Sequence, residues 1–476
     1  MELIKSINDM INNVVWGIPM LILIIGTGIY FSVRLGFFQI FRFKHVLDST
    51  IFDYFKKKEN KRNNKNSLSQ FQAMSTALAA TIGTGNIAGV ASALAIGGAG
   101  AVFWMWVSAF FGMMTSFAEN VLGVYYRQKN DNGEWSGGAM YFISKGFKNK
   151  KIGKILSVLF AAFCVLASFG IGNMSQVNSI AVSLENSFNI PPIAVGIALA
   201  MLVGYILLGG VKRIGAVAEK IVPFMAVLYI VLTLCIVVIN YKALPSVFSE
   251  IFRGAFGLDA VAGGISGALI KNAITLGFKR GVFSNEAGLG SGVIVNATSD
   301  VKEPVVQGMW GVFEVFFDTI VVCSLTAFAV LSTGVYKTSS VEGAALVSEA
   351  FGQVFTSYAG MIVSVSITLF AFTTVLGWSF YGTKCLEYLF GTKATIVYKV
   401  IFSLMLIFGA TINLSLAWEI SDTLNALMAI PNLIGVLVLS GKVVKITRNY
   451  IDRKFRNKKI PPLLSAYTEI QLDMEK

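Results

Sequence analysis

The sequence predicts an all-α polytopic membrane protein of about eleven transmembrane helices, arranged as an inverted repeat of five plus five with one extra N-terminal helix. Three observations lead there. Of 476 residues, 55% are hydrophobic and only 14% are charged, a balance that no soluble surface accommodates. Apolar stretches near the roughly 20 residues that a bilayer requires recur along the whole chain. Two of these stretches are interrupted, by AATIGTGNIAGVA at 79–91 and LGFKRGVFSNEAGLGS at 276–291. The second interrupted span is the fifth after the first. Because five is odd, the second half runs with opposite topology to the first, as in many secondary transporters.

In chain order the expected spans are 14–33, 71–96, 101–125, 155–184, 193–208, 221–239, 263–295, 305–331, 359–380, 396–417 and 423–439. Residues 1–69 hold the extra helix and a basic loop. Residues 70–441 form the transporter core, with repeat one at about 70–240 and repeat two at about 260–441, and residues 442–476 form a basic tail. The stretch 55–69 is the least structured loop, and 457–476 reads as a short polar extension. The first eleven residues are polar and carry Glu2 and Asp9, so the first span is read as retained rather than as a cleaved signal. Cys164, Cys235, Cys323 and Cys385 are scattered without metal or redox spacing, and the single histidine, His45, lies in the basic loop.

The net charge of +13 is laid out by side. Arg34, Arg42, Lys44, Lys56, Lys57, Lys58, Lys61, Arg62 and Lys65 crowd the loop after the first span, and a second basic group runs from Arg127 to Lys154. The connections 97–100 and 185–192 contain no lysine or arginine. The positive-inside rule then puts the N-terminus outside and the basic tail in the cytoplasm. These charges face anionic lipid; no nucleic-acid partner is expected.

The first interruption carries the functional reading. Glycine costs a helix about 1 kcal/mol relative to alanine, and backbone released from its ladder inside hydrocarbon must be satisfied by protein, water or ligand. Gly83, Gly85, Gly89 and Asn86 within one span therefore mark a buried polar site. An amino-acid zwitterion needs positive partial charge for its carboxylate, which the amides of Thr84, Gly85 and Asn86 at a half-helix start supply. Its ammonium needs acceptors. Carbonyls of the second interruption near Gly277 and Phe278 qualify, as do Gln176 and Asn178, which otherwise serve as interhelical hydrogen bonders. Thr373 and Thr374 offer hydroxyls to a sodium ion or else bond back to the preceding turn. Trp378, one turn on, either packs or limits the size of the substrate side chain.

At these residues the chain resembles the bacterial and archaeal alanine or glycine:cation symporters, the amino acid carrier proteins. The likeness rests on GTGNIAGVA (83–91), GGAGAVFWMWVSAFFGM (97–113), FGIGNMSQVNSIA (169–181), GGVKRIGAVAEKIVPFMA (209–226), RGVFSNEAGLGS (280–291) and DTIVVCSLTA (318–327). The resemblance implies a core like that of the bacterial leucine transporter, in the plasma membrane of a prokaryote. It implies sodium- or proton-coupled import of small neutral amino acids such as alanine and glycine. It also implies one sodium held between carbonyls of Ala79 and Ile82 and the hydroxyls of Thr373 and Thr374. No organic cofactor is expected, and the working unit is expected to be a monomer.

Charged groups inside spans are costly and are functional suspects. Here they are Glu119, Glu286, Glu314, Asp318, Lys271, Lys279 and Arg280. Glu314 and Asp318 are four residues apart on one helix, where two carboxylates repel unless a cation or proton intervenes. They form either a proton-coupling site or, as the favoured reading, an ion-pair or gate network with Lys271 or Arg280. Lys279 and Arg280 fit a gate at the cytoplasmic mouth equally well. Two other function classes compete. An ion channel needs a continuous polar pore, whereas polarity here gathers at two breaks. A membrane enzyme needs a nucleophile and base or metal ligands at mutual spacing, and the sequence contains no HExxH, CxxC or GxSxG.

Overall fold

The computed structural model describes residues 2–56, 67–257, 266–412 and 415–475, which are mostly helical, with connecting turns and one two-stranded hairpin of Gln128–Lys129 with Trp135–Ser136. The expected loop 55–69 lies largely outside the described residues, as do the ends of two expected spans at 263–265 and 413–414. The main helices are α1 (Glu2–Val15), α2 (Ile18–Arg34), α3 (Gln70–Thr81), α4 (Val90–Gly97), α5 (Gly100–Tyr125), α6 (Lys150–Phe169), α7 (Ser175–Phe188), α8 (Pro192–Leu208) and α9 (Gly210–Ile239). They continue as α10 (Leu244–Phe256), α11 (Ser266–Asn285), α12 (Gly292–Asn296), α13 (Pro304–Val315), α14 (Ser324–Thr333), α15 (Gly343–Phe355), α16 (Ala359–Phe390), α17 (Ala394–Thr411), α18 (Ser415–Val438) and α19 (Ser440–Phe455).

Among the described residues, seven helices are long and apolar enough to cross a membrane, or eight if the bent pair α3–α4 is one span. The shorter apolar helices α2 and α8 fall below that length, so the expectation of about eleven is met only in part. The first expected span also differs, because the chain forms α1, breaks at Trp16 and Gly17, and restarts as α2. Asn12 donates to Thr423 Oγ1 (2.9 Å) and the Trp16 indole to the Asp422 carbonyl (2.9 Å). α1 is thus packed along α18, and α2, which takes most of the expected first span, packs on α5.

Local chemistry starts the core. Ser69 and Gln72 form a reciprocal capping box at the head of α3, satisfying two amides that would otherwise be orphaned. Asn149 caps α6 by accepting from the Lys151 and Ile152 amides, and Pro192 and Pro304 open α8 and α13, where a missing N–H costs nothing. α5 packs on α11 and α13, α7 on α16, and α8 on α17. The outer faces of α8, α9 and α17 stay apolar: Met201, Tyr205, Leu208, Phe224, Val227, Ile396 and Val397 are all more than half exposed to the surroundings, as lipid contact requires.

On the basic side, Arg127 is fully buried and gathers three carbonyls, those of Ala297 (3.2 Å), Ser299 (2.6 Å) and Val301 (2.5 Å). The same segment pairs with Leu68, whose amide donates to Thr298 while its carbonyl accepts from Asp300. The two segments that flank the interrupted spans are therefore tied to each other. Arg127→Met is expected to cost about 3 kcal/mol or more, because charged hydrogen bonds are lost and carbonyls are left buried. Thermal unfolding in detergent checks it, and an unchanged midpoint would refute it. The tail also differs from the polar extension expected: Ala466 donates to the Tyr125 carbonyl (2.8 Å), Lys302 to the Met474 carbonyl (3.0 Å), and Arg453 pairs with Glu303 (2.7 Å). His45 joins this side through Tyr450 (3.0 Å); burial, then Arg42, lowers its pKa below the usual histidine value. Cys164, Cys323 and Cys385 are buried and Cys235 is exposed.

Candidate functional site

The first break forms where glycine and asparagine predict it. α3 ends at Ile82, whose backbone is extended (φ −77, ψ 92), and α4 leaves at 50° to it. Instead of continuing the ladder, the Gly83 amide donates to Asn86 Oδ1 (2.8 Å). Asn86 in turn donates to Asp318 Oδ1 (2.6 Å), so one side chain both caps the break and ties it to the α13–α14 span. Residues 85–89 then form a wide π turn. Two more π turns lie in the core, at Gly170–Met174 between α6 and α7 and at Phe316–Cys323 between α13 and α14. π turns gather at functional sites because they open the helical ladder. Hydropathy gives no sign of them; the glycine pair Gly170 and Gly172 is the one local hint.

The second break falls in the later part of the expected stretch 276–291, beyond Gly277 and Phe278. α11 runs without interruption through Gly277 and Phe278 to Asn285, so the carbonyls of both residues belong to the helical ladder and are not the loose acceptors expected. Gly277 serves packing instead: a Cβ there would meet the Ala101 carbonyl at 2.6 Å. Phe278 is buried against Trp104, with ring centroids 5.8 Å apart. The turn proper begins at Glu286, a non-glycine residue with φ +56, and continues through Gly288 (φ +93) and Gly290 (φ +77) to α12. A Cβ on Gly290 would also strike Asn432 at 2.6 Å, so glycine is required there on both counts.

Between the breaks lies a small cavity lined by Ala80, Thr81, Gly83, Gly85, Ile171, Gln176, Phe283, Glu286, Thr374 and Trp378. Its free volume is about 10 Å³, close to the roughly 10–15 Å³ on this measure that one water needs. Thr84 Oγ1 donates to Gln176 Oε1 (3.2 Å), and Gln176 Nε2 donates to the Ile171 carbonyl (2.9 Å). Trp378 is 1% exposed, and its Cβ would lie 2.1 Å from a Cβ on Gly172. Asn178 points elsewhere, toward the Gly409 (3.3 Å) and Ile412 (3.1 Å) carbonyls of the α17 end.

Thr374 Oγ1 lies 3.4 Å from the Ile82 carbonyl and 3.0 Å from that of Phe370. A Cβ on Gly83 would come within 2.5 Å of the same hydroxyl. Ile82 and Thr374 are thus brought together as neutral oxygens of the kind a sodium ion takes. Ala79 is fully buried one turn before them. Thr373 faces away: its hydroxyl donates to the Phe370 carbonyl (2.9 Å) and toward Met225 Sδ (3.3 Å).

Beyond Thr84 a vestibule of about 680 Å³ opens between the α7 end, α15 and the start of α16; Asn178, Glu342 and Glu349 are on its wall. The buried carboxylates are not paired with cations as the favoured reading expected. Asp318 accepts from Asn86, Ser284 (2.8 Å) and Thr319 (2.8 Å), Glu314 from Asn296 (3.0 Å), and Glu119 from Asn432 (2.5 Å). Lys271 is exposed, Lys279 pairs with Asp422 (2.8 Å), and Arg280 stacks over Phe283. Among the described residues neither Glu314 nor Asp318 has a basic partner. Neutral amides and hydroxyls are the partners of these carboxylates, with Glu314 Oε1 left without one among the described residues, and the Lys279–Asp422 ion pair joins α11 to α18.

The profile of the sodium:alanine symporter family matches residues 1–463. The chain is 47% identical over 453 residues to the sodium/alanine symporter AgcS of Methanococcus maripaludis, covering 94% of this chain and 98% of that one. It is 36% identical over 455 residues to a probable sodium/glutamine symporter, GlnT, of Bacillus subtilis, covering 95% and 92%. Among solved structures, a manganese transporter of Eremococcus coleocola shares the fold, with a TM-score of 0.51 at 12% identity over 88% of this chain and 85% of that one.

Proposed function

The chain belongs to the sodium:alanine symporter family, and on that premise we propose that it imports small neutral amino acids, alanine and glycine first, with Na⁺ by alternating access. As a family member it is a transporter rather than an enzyme, and Na⁺ is its coupling ion. The observation that carries the finer reading is the meeting of the two breaks. Thr374, whose hydroxyl lies 3.4 Å from the Ile82 carbonyl, borders the same cavity as Gly83, Gly85, Gln176 and Trp378. The amides of Thr84 and Gly85 receive the substrate carboxylate, the Asn86 amide being bonded to the Gly83 carbonyl (3.2 Å) instead of free as expected; Gln176 orients the substrate through Thr84, and the Trp378 ring limits its side chain. Ala79, Ile82 and Thr374 hold the ion, and Thr373 braces the helix beside it.

The two breaks, at 82–89 and 286–291, support an inverted repeat of five plus five spans after the extra N-terminal helix. Charge asymmetry supports an outside N-terminus and a cytoplasmic tail. The vestibule then faces outward, on the side poor in lysine and arginine, and the Arg127 and Leu68 contacts close the inner side. Rocking of the bundle that carries the breaks would open the two sides in turn, with Na⁺ favouring the outward arrangement through its differential affinity. The unit is a monomer in lipid. A proton-coupled symporter is the second reading, favoured by the neutral surroundings of Asp318 and Glu314.

Uptake of labelled alanine into liposomes under separate Na⁺ and H⁺ gradients tests this. Na⁺-driven accumulation blocked by glycine and not by leucine is expected. H⁺-driven accumulation alone would move the coupling to the carboxylates, and none under either gradient would sink the reading. Trp378→Ala is expected to admit leucine, narrowing the preference for alanine over leucine by about 10-fold or more; competition by leucine measures it, and unchanged exclusion would assign Trp378 to packing alone.

A further inference from the structure

The reading above leaves the ammonium of an amino-acid substrate without a charged acceptor: the carbonyls of Gly277 and Phe278 are committed to α11, Asn178 points to α17, and Gln176 Oε1 already accepts from Thr84. Glu286 is the only acidic side chain on the cavity wall among the described residues. We propose that the Glu286 carboxylate receives the substrate's ammonium group and so selects amino acids over carboxylic acids that lack the amine. This inference rests on the transporter reading and adds to it a specificity residue.

The backbone is the first argument. Glu286 takes φ +56, a left-handed conformation that costs an L residue about 1–2 kcal/mol and persists only where the surroundings over-determine it. Continuing α11 by one more residue would have carried this side chain round the helix. The left-handed turn points it instead into the cavity shared with Gln176, Gly85 and Trp378. Asn285 Oδ1 holds the turn by accepting from the Ala287 amide (3.0 Å), and Ser291 Oγ donates to Glu286 Oε2 (2.5 Å). The carboxylate is therefore aimed into the cavity, anchored by Ser291 and faced by the Trp378 indole.

Charge is the second argument. Glu286 is 5% exposed, and a carboxylate so placed is costly unless a cation or several donors face it. Among the described residues no lysine or arginine pairs with it. The two basic residues on its own helix nearest the turn are engaged elsewhere, Lys279 with Asp422 and Arg280 over Phe283. Glu119, Glu314 and Asp318 lie off the cavity wall, each held by an asparagine. A small cation that arrives with the substrate is the partner this position lacks, and an α-ammonium next to a carboxylate bound at Thr84 and Gly85 supplies it.

The test compares wild type with Glu286→Gln and Glu286→Asp in liposomes under a Na⁺ gradient. It reads the KM for alanine and the competition by propionate, which is alanine without its amine. Na⁺-dependent thermal stabilisation reports folding and the ion site independently. Glu286→Gln is expected to raise the KM about 10- to 100-fold, the range for losing a charged hydrogen-bond partner. It should shrink the preference for alanine over propionate by the same factor and keep the stabilisation by Na⁺. Glu286→Asp retains the charge but withdraws it by one methylene; it should raise the KM while keeping the discrimination against propionate, and it decides the matter if the glutamine variant does not fold. Wild-type KM and discrimination in Glu286→Gln would overturn the inference and leave the transporter reading standing. Absence of amino-acid uptake by the wild type would overturn both.

Discussion

Asn86→Ala is expected to reduce Na⁺-driven alanine uptake by about 100-fold or more while the protein still inserts and is recovered from membranes. The size follows from what the side chain does. It accepts from the Gly83 amide (2.8 Å) and donates to Asp318 Oδ1 (2.6 Å), and it is fully buried. Removing it leaves a buried amide and one carboxylate oxygen without that partner, at about 1–3 kcal/mol for each group. The amide regains a bond most readily by closing back onto the helical ladder, which straightens the break. A straightened break withdraws the amides of Thr84 and Gly85 from the cavity and draws the Ile82 carbonyl away from Thr374. Uptake and binding should therefore fail together. Equal recovery of mutant and wild type, with uptake within about threefold, would show that the break does not depend on Asn86.

Thr374→Val is expected to raise the Na⁺ concentration for half-maximal uptake by about 10- to 100-fold, whereas Thr373→Val should change it by less than about threefold. Valine nearly matches threonine in shape and removes the hydroxyl, and an oxygen facing a charged group accounts for a loss of that size. The asymmetry comes from orientation. Thr374 Oγ1 is the oxygen within 3.4 Å of the Ile82 carbonyl, while Thr373 is turned toward Met225 and bonds back to Phe370. Sodium titrations of uptake at saturating alanine measure both. An equal effect of the two substitutions, or a larger one at Thr373, would place the ion elsewhere.

The two threonines show how far the sequence reached. Their neighbouring positions, their hydroxyls and their distance from Trp378 were all legible, yet two adjacent residues on a helix point about 100° apart, and only the packing against α3 and α9 decides which one faces the break. The second break teaches the same lesson. Gly277 marks it too early, because glycine serves close helix contact as readily as it serves a turn: Gly277 meets α5, while the turn itself starts at the non-glycine Glu286. The buried acids behave likewise. Their presence in spans was plain, but their partners, Asn86, Asn296 and Asn432, come from elements up to 313 residues away in the chain.

The sequence by itself determined the membrane class, the first break at Gly83 to Asn86 and the family, because hydropathy, glycine content and motif blocks are properties of the chain read in one dimension. Tertiary structure alone decided that Thr374 rather than Thr373 meets Ile82, that the second turn begins at Glu286, that this carboxylate enters the cavity, and that the tail folds back onto Tyr125 and the 297–303 segment. Those outcomes depend on helix rotation, on backbone angles imposed by neighbours and on contacts between distant segments, and no local rule carries that information.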